Sequence, residues 1–403
     1  MTDNGDLKLG VVGLGQRSYL GDLVHHPGQG SRVVALADFD ARALARTKPR
    51  FPDVALLAES HQALLGCGLD AVIITTPDHT HEEIIIDFLR AGVAVFAEKP
   101  LAISTQGCDR VLEVARETGT RLYVGHNMRH MPVITTMKSL IDDGAVGQVQ
   151  TIWCRHFVGD GGDYYFKDWH ADRTKTTSLL LQKGAHDLDI IHWLAGSPTR
   201  RVTAMGALQV YGDITDRSDR DGEVVGDWLD REHNWPPRSQ RGLHPIIDVE
   251  DVSMMLMQLG NGVLASYQQC HFTPDYWRNY TVIGTEGRLE NFGDEVGAAV
   301  NVWSAGRSGY RADADLSVEV TSTPGTHGGA DEPLMAEFLQ FVRDGSPTLT
   351  SPVDAREAVA AGWAATMSLR DGNRPMVVPP VPAEIAEWFA GGQQARDTAG
   401  HQG

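Results

Sequence analysis

Short apolar runs alternate with longer amphipathic stretches over about the first 125 residues of the chain. The runs are rich in β-branched residues and read LGVVGL, RVVALAD, AVIITT, VAVFAE and RLYVGH. Helical patterns separate them, and this alternation is typical of βαβ units that build a parallel sheet with helices on both faces. We therefore predict an amino-terminal α/β domain on a doubly wound parallel sheet.

From about residue 150 the apolar runs become longer, and turns connect several of them. The runs TIWCRHF, RVTAMGALQVYG, DVSMMLMQL and GVLASYQQCHF predict strands of an open, mostly antiparallel sheet, with Gly260–Gly262 at one turn. Helical patterns follow over Leu334–Arg343 and Asp354–Arg370. We therefore predict a second domain of the α+β class.

Shifts in composition divide the chain further. A polar, charged and proline-bearing stretch at 212–245 predicts a long, lid-like insertion in the second domain. A Gly- and Gln-rich stretch from Gly391 predicts a mobile end. The predicted division is an amino-terminal domain, a second domain that carries the insertion, and a tail, at residues 1–128, 129–380 and 381–403.

A glycine-bearing turn, GLGQRS, directly follows the first predicted strand and opens a helix. Asp38 ends the second predicted strand, 25 residues after Gly13, where dinucleotide-binding folds keep the carboxylate that accepts from a ribose hydroxyl. A glycine turn alone is weak support, and a doubly wound fold that binds another ligand is the alternative. The order of strand, turn, helix and acid favours a Rossmann-type dinucleotide site.

The net charge of the chain disfavours two classes of binding partner. It has 35 Lys and Arg against 53 Asp and Glu, a formal net charge of −18, which repels phosphate backbones and anionic membranes. We therefore expect no nucleic-acid or membrane partner. No apolar run is long enough to span a bilayer and residues 1–6 are polar, which predicts a cytoplasmic protein. Four cysteines without a CxxC pair predict neither a disulfide framework nor a zinc–thiolate site.

Three further motifs make a family resemblance specific. They are TTPDHTH at Thr75–His81, AEKPLA at Ala97–Ala102 and KGAHDLDIIHWLAG at Lys183–Gly196. With GLGQRS, their order and spacing resemble the Gfo/Idh/MocA family of glucose-fructose oxidoreductases and inositol dehydrogenases, over about Leu7–Pro379. The resemblance implies an amino-terminal Rossmann domain that binds NAD or NADP, and a second domain that binds the substrate and forms homodimers or homotetramers.

The resemblance also implies roles for residues of the first domain. The EKP motif places Glu98 near the cofactor and Lys99 between nicotinamide and substrate, where a lysine beside a cationic ring can relay a proton. A surface lysine before a loop proline is the alternative, and a cis Lys99–Pro100 bond is possible. The implied cofactor contacts are Gly13, Leu14, Gly15, Gln16, Arg17, Asp38, Thr76, Pro77, His81, Glu98, Lys99 and Asn127.

In the second domain the resemblance aligns His186 with a catalytic histidine and Asp189 with a residue that holds substrate hydroxyls. Gln182, His186, Asp189 and Trp193 share one face of a predicted helix that begins near Leu179. A solvated polar stripe is the alternative. Inositol dehydrogenase-like relatives carry aspartate four residues before the histidine, whereas this chain has Gln182 with Lys183 beside it. A carboxylate that would orient the histidine is therefore missing.

Other candidates for the substrate site are Arg129 in GHNMRH, Tyr276, eight residues before Gly284, and Trp169 in YYFKDWHADR. Packing within the core or between domains is the alternative for Arg129 and Trp169. For Tyr276 the alternative is that the neighbouring Trp277 serves as a sugar-stacking surface instead. His79 and His81 place two imidazoles close in sequence, but spacing supplies no third ligand, so we expect no metal site.

These features predict an NAD-dependent oxidoreductase that acts on a secondary alcohol of a sugar, sugar derivative or cyclitol. NAD is expected rather than NADP, because Asp38 would repel a 2′-phosphate and Arg42 is the only cation near it in sequence. Two alternatives stay open. One is a glycoside-cleaving enzyme that uses transient oxidation and elimination, and the other is a non-catalytic dinucleotide or sugar sensor.

Overall fold

The computed structural model describes residues 5–220, 223–321 and 326–393. The described chain forms two compact units. The first contains the described parts of Met1–Gly125, Glu332–Arg356 and Val381–Gly403, and the second contains those of His126–Asp331 and Glu357–Pro380. Each unit is built on its own sheet.

The first sheet has six strands, and all of its neighbours pair in parallel. The strands are β1 Leu7–Val12, β2 Ser31–Ala37, β3 Leu56–Ala58, β4 Ala71–Ile74, β5 Ala94–Ala97 and β6 Leu122–Val124. Their order is β3-β2-β1-β4-β5-β6, the doubly wound order of dinucleotide-binding domains. The predicted parallel sheet is confirmed, and only the short β3 lacks a predicted counterpart.

The second sheet is mixed and mostly antiparallel, as predicted. Its strands are β7 Val149–Val158, β8 Thr199–Ala207, β9 Val252–Leu259, β10 Leu264–Cys270, β11 Tyr276–Gly284, β12 Arg288–Phe292, β13 Ala299–Trp303, β14 Leu316–Glu319 and β15 Met376–Val377. The order is β14-β13-β12-β11-β7-β10-β9-β8-β15, in which β7 and β10 are parallel. This pairing places β10 and β11 on either side of β7, a neighbourhood that builds the candidate site.

Helices accompany both sheets. They are α1 Ala41–Thr47, α2 His81–Arg90, α3 Thr105–Thr118, α4 Pro132–Asp142, α5 Gly161–Tyr165, α6 Arg173–Thr176, α7 Leu179–Gln182, α8 Gly184–Ala195, α9 Val225–Trp228, α10 Asp331–Asp344, α11 Pro352–Arg370 and α12 Ala383–Ala390. The predicted helices near 334–343 and 354–370 correspond to α10 and α11. None of the helices in the described ranges is long and apolar enough to cross a membrane.

Helix α10 packs on the first sheet, whereas the division drawn from the sequence groups it with residues 129–380. The ring of Phe338 lies 5.3 Å from that of Phe96 and 5.7 Å from that of Tyr123, centroid to centroid. Both partners are buried on neighbouring strands β5 and β6. An amphipathic helix must bury its apolar stripe, and α10 buries that stripe against these two rings. Helix α10 therefore belongs to the first unit, although it lies far from β5 and β6 in sequence.

The segment drawn from the sequence as a tail also begins within the first unit. Helix α12 buries Trp388 and Phe389. The side chain of Gln393 accepts from the backbone N–H of Leu122 at 2.8 Å and donates to the Leu122 carbonyl at 2.9 Å, which extends the edge of β6. The remainder of the predicted mobile end, residues 394–403, lies outside the described residues.

The predicted insertion contributes to a small apolar cluster that it shares with residues before and after it. Ile214 and Leu243 are buried with Phe166 and Tyr211. The carboxylate of Asp163 on α5 accepts from Asn234 Nδ2 at 2.7 Å and from Gln240 Nε2 at 3.2 Å. These bonds connect the insertion to the chain that precedes it. The described part of the insertion is therefore packed against the second unit and does not project into solvent. Residues 221 and 222 of the insertion are not among the described residues.

Candidate active site

The glycine turn lies at the carboxyl end of β1, beside the end of β4. Gly13 has φ +87°, and a Cβ there would lie 2.6 Å from the backbone nitrogen of Thr76. Glycine is therefore required for the close approach of the two strand ends. A Cβ on Gly15 would meet nothing within 4 Å, so open space lies beside the turn. This is the space that a dinucleotide pyrophosphate needs at such a turn.

Asp38 follows β2 and is held at the glycine turn. Its Oδ2 accepts from the backbone N–H of Leu14 at 2.6 Å, and its Oδ1 accepts from that of Asp40 at 2.8 Å. Leu14 is buried, and Gln16 begins a 3₁₀ helix that runs to Val24. The structure thus brings the predicted acid and the predicted turn together, which is the arrangement that fits an adenosine ribose.

Glu98 and Arg17 form an ion pair near the end of β5. Arg17 Nε donates to Glu98 Oε1 at 2.7 Å, and Glu98 is only 6% exposed. The other carboxylate oxygen of Glu98 accepts from the backbone N–H of Lys99 at 3.0 Å. The Lys99–Pro100 peptide bond is cis. Glu98 therefore links the glycine turn to the backbone of the EKP motif.

His81 links the loop after β4 to the same motif. One of its ring nitrogens, Nδ1, lies 2.7 Å from the carbonyl of Pro100, and Nε2 lies 2.9 Å from the carbonyl of Thr76. His81 is fully buried, and Thr80 donates from its hydroxyl to the Thr76 hydroxyl at 2.7 Å. Pro77 precedes a short 3₁₀ turn in this loop. The predicted cofactor contacts that lie in the first unit thus share one end of its sheet, whereas Asn127 belongs to the second unit.

The predicted helix that begins at Leu179 is two helices, which meet at Lys183. Gln182 ends α7, while His186 and Asp189 lie on α8. A Cβ on Gly184 would lie 3.2 Å from the Tyr267 ring, so glycine lets that ring approach the start of α8. Lys183 itself keeps α-helical dihedrals, φ −80° and ψ −38°, so the shared face of Gln182 and His186 stays a prediction. The solvated-stripe alternative is wrong, because every residue of α8 except Trp193 is buried.

His186 lies among other histidines of the second unit. It is 3% exposed, and its ring centroid is 6.4 Å from that of His126 and 5.5 Å from that of His327. The neighbouring Asn127 donates from Nδ2 to Asp331 Oδ1 at 2.8 Å. His126 and His327 have no predicted role, because nothing in the sequence relates their distant positions to His186.

Asp189 and Arg129, both predicted to bind substrate, bind each other. Arg129 donates from Nε and Nη2 to the two carboxylate oxygens at 2.9 and 2.6 Å, and both residues are buried. Burial alone would raise the pKa of Asp189, but Arg129 and His126 outweigh it and hold that pKa below its ordinary value. Such a bidentate pair fixes the orientation of both side chains.

A second buried carboxylate, Asp187, is the hub of the polar core and has no predicted role. Its oxygens accept from the hydroxyls of Tyr267 at 2.8 Å and Tyr280 at 2.5 Å, and from His156 Nδ1 at 2.9 Å. Arg278 Nε lies 3.2 Å away. Burial lowers the pKa of His156 to about 3, assisted by Arg278, so the ring donates as a neutral imidazole.

Strand alternation explains how these partners reach Asp187. Tyr276, Arg278 and Tyr280 are every second residue of β11, and successive side chains of a strand point to opposite faces. His156 on β7 is the Cα partner of Arg278, and Tyr267 on β10 is the partner of Cys154 two residues earlier. In the sequence, the one indication of this network is Arg278, a charged residue within the pattern of a buried strand. Its partner cannot be inferred without the pairing of the strands.

Two other predicted contacts have partners within the second unit. Tyr276 accepts from Lys183 Nζ at 2.8 Å. Trp169 is half-buried and its ring stacks on that of His170, with 3.7 Å between centroids. Across the described ranges, no group of three or more His, Cys, Asp or Glu side chains is arranged to hold a metal ion.

Comparison with known families identifies both halves of the chain. Residues 7–126 match the oxidoreductase family with an NAD-binding Rossmann fold, and residues 134–290 match the GFO/IDH/MocA C-terminal domain. The two matches belong to one family and together cover more than half of the chain. The chain belongs to the Gfo/Idh/MocA family. Its first unit is therefore the NAD-binding Rossmann domain of an oxidoreductase.

Relatives within this family cover different shares of the chain. The Bacillus subtilis protein YteT is 27% identical over 354 residues, which are 77% of this chain and 82% of that protein. Inositol 2-dehydrogenase of Klebsiella pneumoniae is 33% identical over 201 residues, 49% of this chain and 56% of that enzyme. The structure of levoglucosan dehydrogenase with NADH and L-sorbose, 18% identical, covers 93% of this chain and 100% of its own with a TM-score of 0.74, so the fold is shared.

The Arg129–Asp189 pair predicts a measurable coupling. Arg129→Met or Asp189→Leu alone should lower the free energy of unfolding by about 3–5 kcal/mol, because each leaves a buried charge without its partner. The double variant should cost less than the sum of the two. Chemical denaturation followed by tryptophan fluorescence tests this, since the Arg129 guanidinium lies 5.4 Å from the Trp193 ring.

A surface pair supplies the control. Lys138 pairs with Asp142 one helical turn away, and Lys138→Met should change the free energy of unfolding by no more than about 1 kcal/mol. Additive losses in the Arg129 and Asp189 variants would contradict the coupling.

Proposed function

We propose that this chain transfers a hydride between NAD and a secondary alcohol of a sugar, sugar derivative or cyclitol. The proposal rests on the buried polar side chains of α8, among them His186 and Asp189. They belong to a chain of an NAD-binding oxidoreductase family. Polyol sites place a few convergent polar groups in an otherwise apolar setting. The inositol 2-dehydrogenases among the relatives support the same substrate class.

The residues at the end of the first sheet fit the cofactor. The open space beside Gly15 and the carboxylate of Asp38 at the glycine turn suit a pyrophosphate and a ribose. Bound NAD supplies the hydride acceptor for the carbinol carbon. The chain then has to orient the alcohol and remove its hydroxyl proton.

We assign proton removal to His186, with Lys99 as relay. A histidine titrates closest to neutral pH of the ordinary side chains, and general bases work best near the operating pH. If this assignment is right, His186→Ala and Lys99→Ala each lower turnover by about 10²–10⁴-fold while NAD affinity is retained. Steady-state kinetics and fluorescence titration with NAD measure the two quantities. The losses should not add, because both residues serve one proton path.

His192 supplies a matched control on the same helix. It is buried and bonds through Nε2 to the Thr199 hydroxyl at 2.8 Å, so His192→Gln should leave the pH profile of turnover unchanged. Gln182→Asp should shift that profile if residue 182 acts on His186. Near-normal turnover in His186→Ala, with an unchanged profile in Gln182→Asp, would remove His186 from the mechanism.

The surroundings of Asp38 favour NAD over NADP. The carboxylate would repel a 2′-phosphate, Phe39 is 84% exposed, and the Arg42 guanidinium bonds Asp40 through Nε at 3.1 Å. Wild-type protein should therefore bind NAD more tightly than NADP. Asp38→Asn, which retains an acceptor for the Leu14 amide, should raise the relative affinity for NADP by about tenfold, or about 1.4 kcal/mol. Fluorescence titration with both cofactors tests this, and an unchanged preference would contradict it.

The face of the second sheet supports self-association. Strands β7, β8, β9, β10 and β12 expose large apolar side chains, each at least 45% exposed, at Trp153, Met205, Met254, Leu256, Leu264 and Phe292. Trp153 and Leu256 are both Cα partners of Ser266, so they lie in one row across the sheet. An apolar surface of this kind suits a second copy of the chain, as a homodimer or homotetramer.

Light scattering tests the association. The wild-type protein should be a dimer or tetramer at micromolar concentration, and Leu256→Glu should yield a smaller species because it buries a charge in the interface. Tyr310→Glu, at a 95% exposed loop position, is the control and should leave the mass unchanged. A monomeric wild-type protein would contradict the proposal.

A further inference from the structure

Lys183 is a buried lysine with no counter-ion among the described residues. It is 5% exposed, and its Nζ donates to the Tyr276 hydroxyl at 2.8 Å. No carboxylate of the described residues lies within 4.0 Å of this nitrogen. Lys167, also buried in the second unit, contrasts with it because its Nζ lies 2.6 Å from Asp163. Buried charges are ordinarily paired, so Lys183 is the exception that needs an explanation.

The groups around Lys183 add no negative charge that is free to pair with it. The rings of Tyr165 and Tyr276 lie 5.6 and 5.4 Å from Nζ, where their faces stabilise a cation weakly. The nearest acids are Asp187 and Asp294, and both are paired with Arg278 at 3.2 and 3.4 Å. The acids near Lys183 are therefore already paired with the guanidinium of Arg278, which stays charged at all relevant pH values.

The remaining titratable neighbours are neutral. Burial lowers the pKa of His156 to about 3, and burial holds the pKa of His271 well below its ordinary value. Burial raises the pKa of Tyr276. Burial, and then Arg278, lower the pKa of Lys183 to about 7, so the charged and neutral forms are balanced near neutral pH.

The partner of Lys183 reaches the surface. Tyr276 is 40% exposed as a whole residue, whereas its hydroxyl, which accepts from Nζ, lies in a partly buried hydrogen bond. An ammonium has three N–H donors, and Tyr276 accepts one of them. A ligand oxygen that reaches the Tyr276 hydroxyl thus meets a phenol with a lysine directly behind it. A carboxylate suits this pair best, because charge-assisted hydrogen bonds are about twice as strong as neutral ones.

We propose that Lys183 and Tyr276 bind the carboxylate of the substrate, so that the substrate is an acidic sugar such as a uronate or an aldonate. This inference rests on the proposed function for the reaction and deepens it by naming the substrate class. The substrate then supplies the counter-ion that the described residues do not.

Pairing of Lys183 with a bound carboxylate should change the number of protons that the protein binds. At pH 8 a lysine with a pKa of about 7 is mostly neutral, whereas a bound carboxylate stabilises its ammonium form and raises that pKa. Binding of an acidic sugar at pH 8 should therefore take up close to one proton, and binding at pH 6 should take up almost none, because Lys183 is already charged there.

Calorimetric titration measures this uptake directly. The protein is saturated with NADH, which cannot accept a hydride, and is titrated with D-glucuronate, D-galacturonate, D-glucose and D-galactose. Buffers of different ionisation enthalpy at pH 6 and pH 8 give the number of protons taken up. At least one uronate should bind the wild-type protein roughly tenfold or more tightly than its neutral counterpart, with proton uptake at pH 8 only.

Two variants separate charge from packing. Lys183→Met should lose the preference for the uronate and the proton uptake, while it retains binding of NADH. Lys183→Arg should keep the preference without the uptake, because a guanidinium does not lose its proton in this range. Lys138→Met, at the surface pair with Asp142, is the control and should behave like the wild type.

The outcomes are distinguishable. Equal binding of uronate and neutral sugar by the wild type, absence of uronate binding, or unchanged proton uptake in Lys183→Arg would overturn the proposal, even if Lys183→Met does not fold. Failure of the proposed function would appear differently, as absent NADH binding or as absent oxidation of any sugar while the uronate still binds with proton uptake.

Discussion

A buried carboxylate organises the second unit. Asp187 lies on α8 and accepts from groups on β7, β10 and β11, so it joins one helix to three strands. Burial alone would raise its pKa, but His156 and Arg278 hold that pKa below its ordinary value. A charge buried this deeply is tolerated only when its hydrogen-bonding capacity is filled. Removal of any one partner would take a donor from a buried carboxylate, so each partner contributes to holding α8 against the three strands.

This network holds the helix that carries the proposed site residues. His186 and Asp189 flank Asp187 on the helix, and Lys183 immediately precedes it. The same strand β11 contributes Arg278 to Asp187 and Tyr276 to Lys183. The geometry of the proposed substrate site is therefore a consequence of the polar core rather than of separate contacts. Within the second unit, structure and proposed function depend on the same buried charges.

The sequence predicted the parts of this arrangement that depend on local pattern. The period-two and 3.6-residue patterns located the strands of the first sheet, the glycine turn and the helices near residues 334 and 354, because burial imposes those periods. Family motifs directed attention to His186, Asp189, Arg129 and Tyr276. The structure brings Arg129 against Asp189, and Tyr276 against Lys183. Their catalytic and binding roles stay predictions. The hub at Asp187 depends on contacts between residues 31 to 93 positions apart, and the place of α10 on the first sheet depends on the contact of Phe338 with Phe96; no local pattern encodes either.

The central claim is that the chain carries out net hydride transfer from a sugar alcohol. The most direct test mixes the protein with NAD and a panel of aldoses, uronates, inositols and glycosides, and follows both nicotinamide absorbance and released aglycone. The account predicts accumulation of NADH with at least one sugar, uronates foremost, without aglycone release. Aglycone release without net NADH, or an oxidised cofactor with every sugar in the panel, would contradict it.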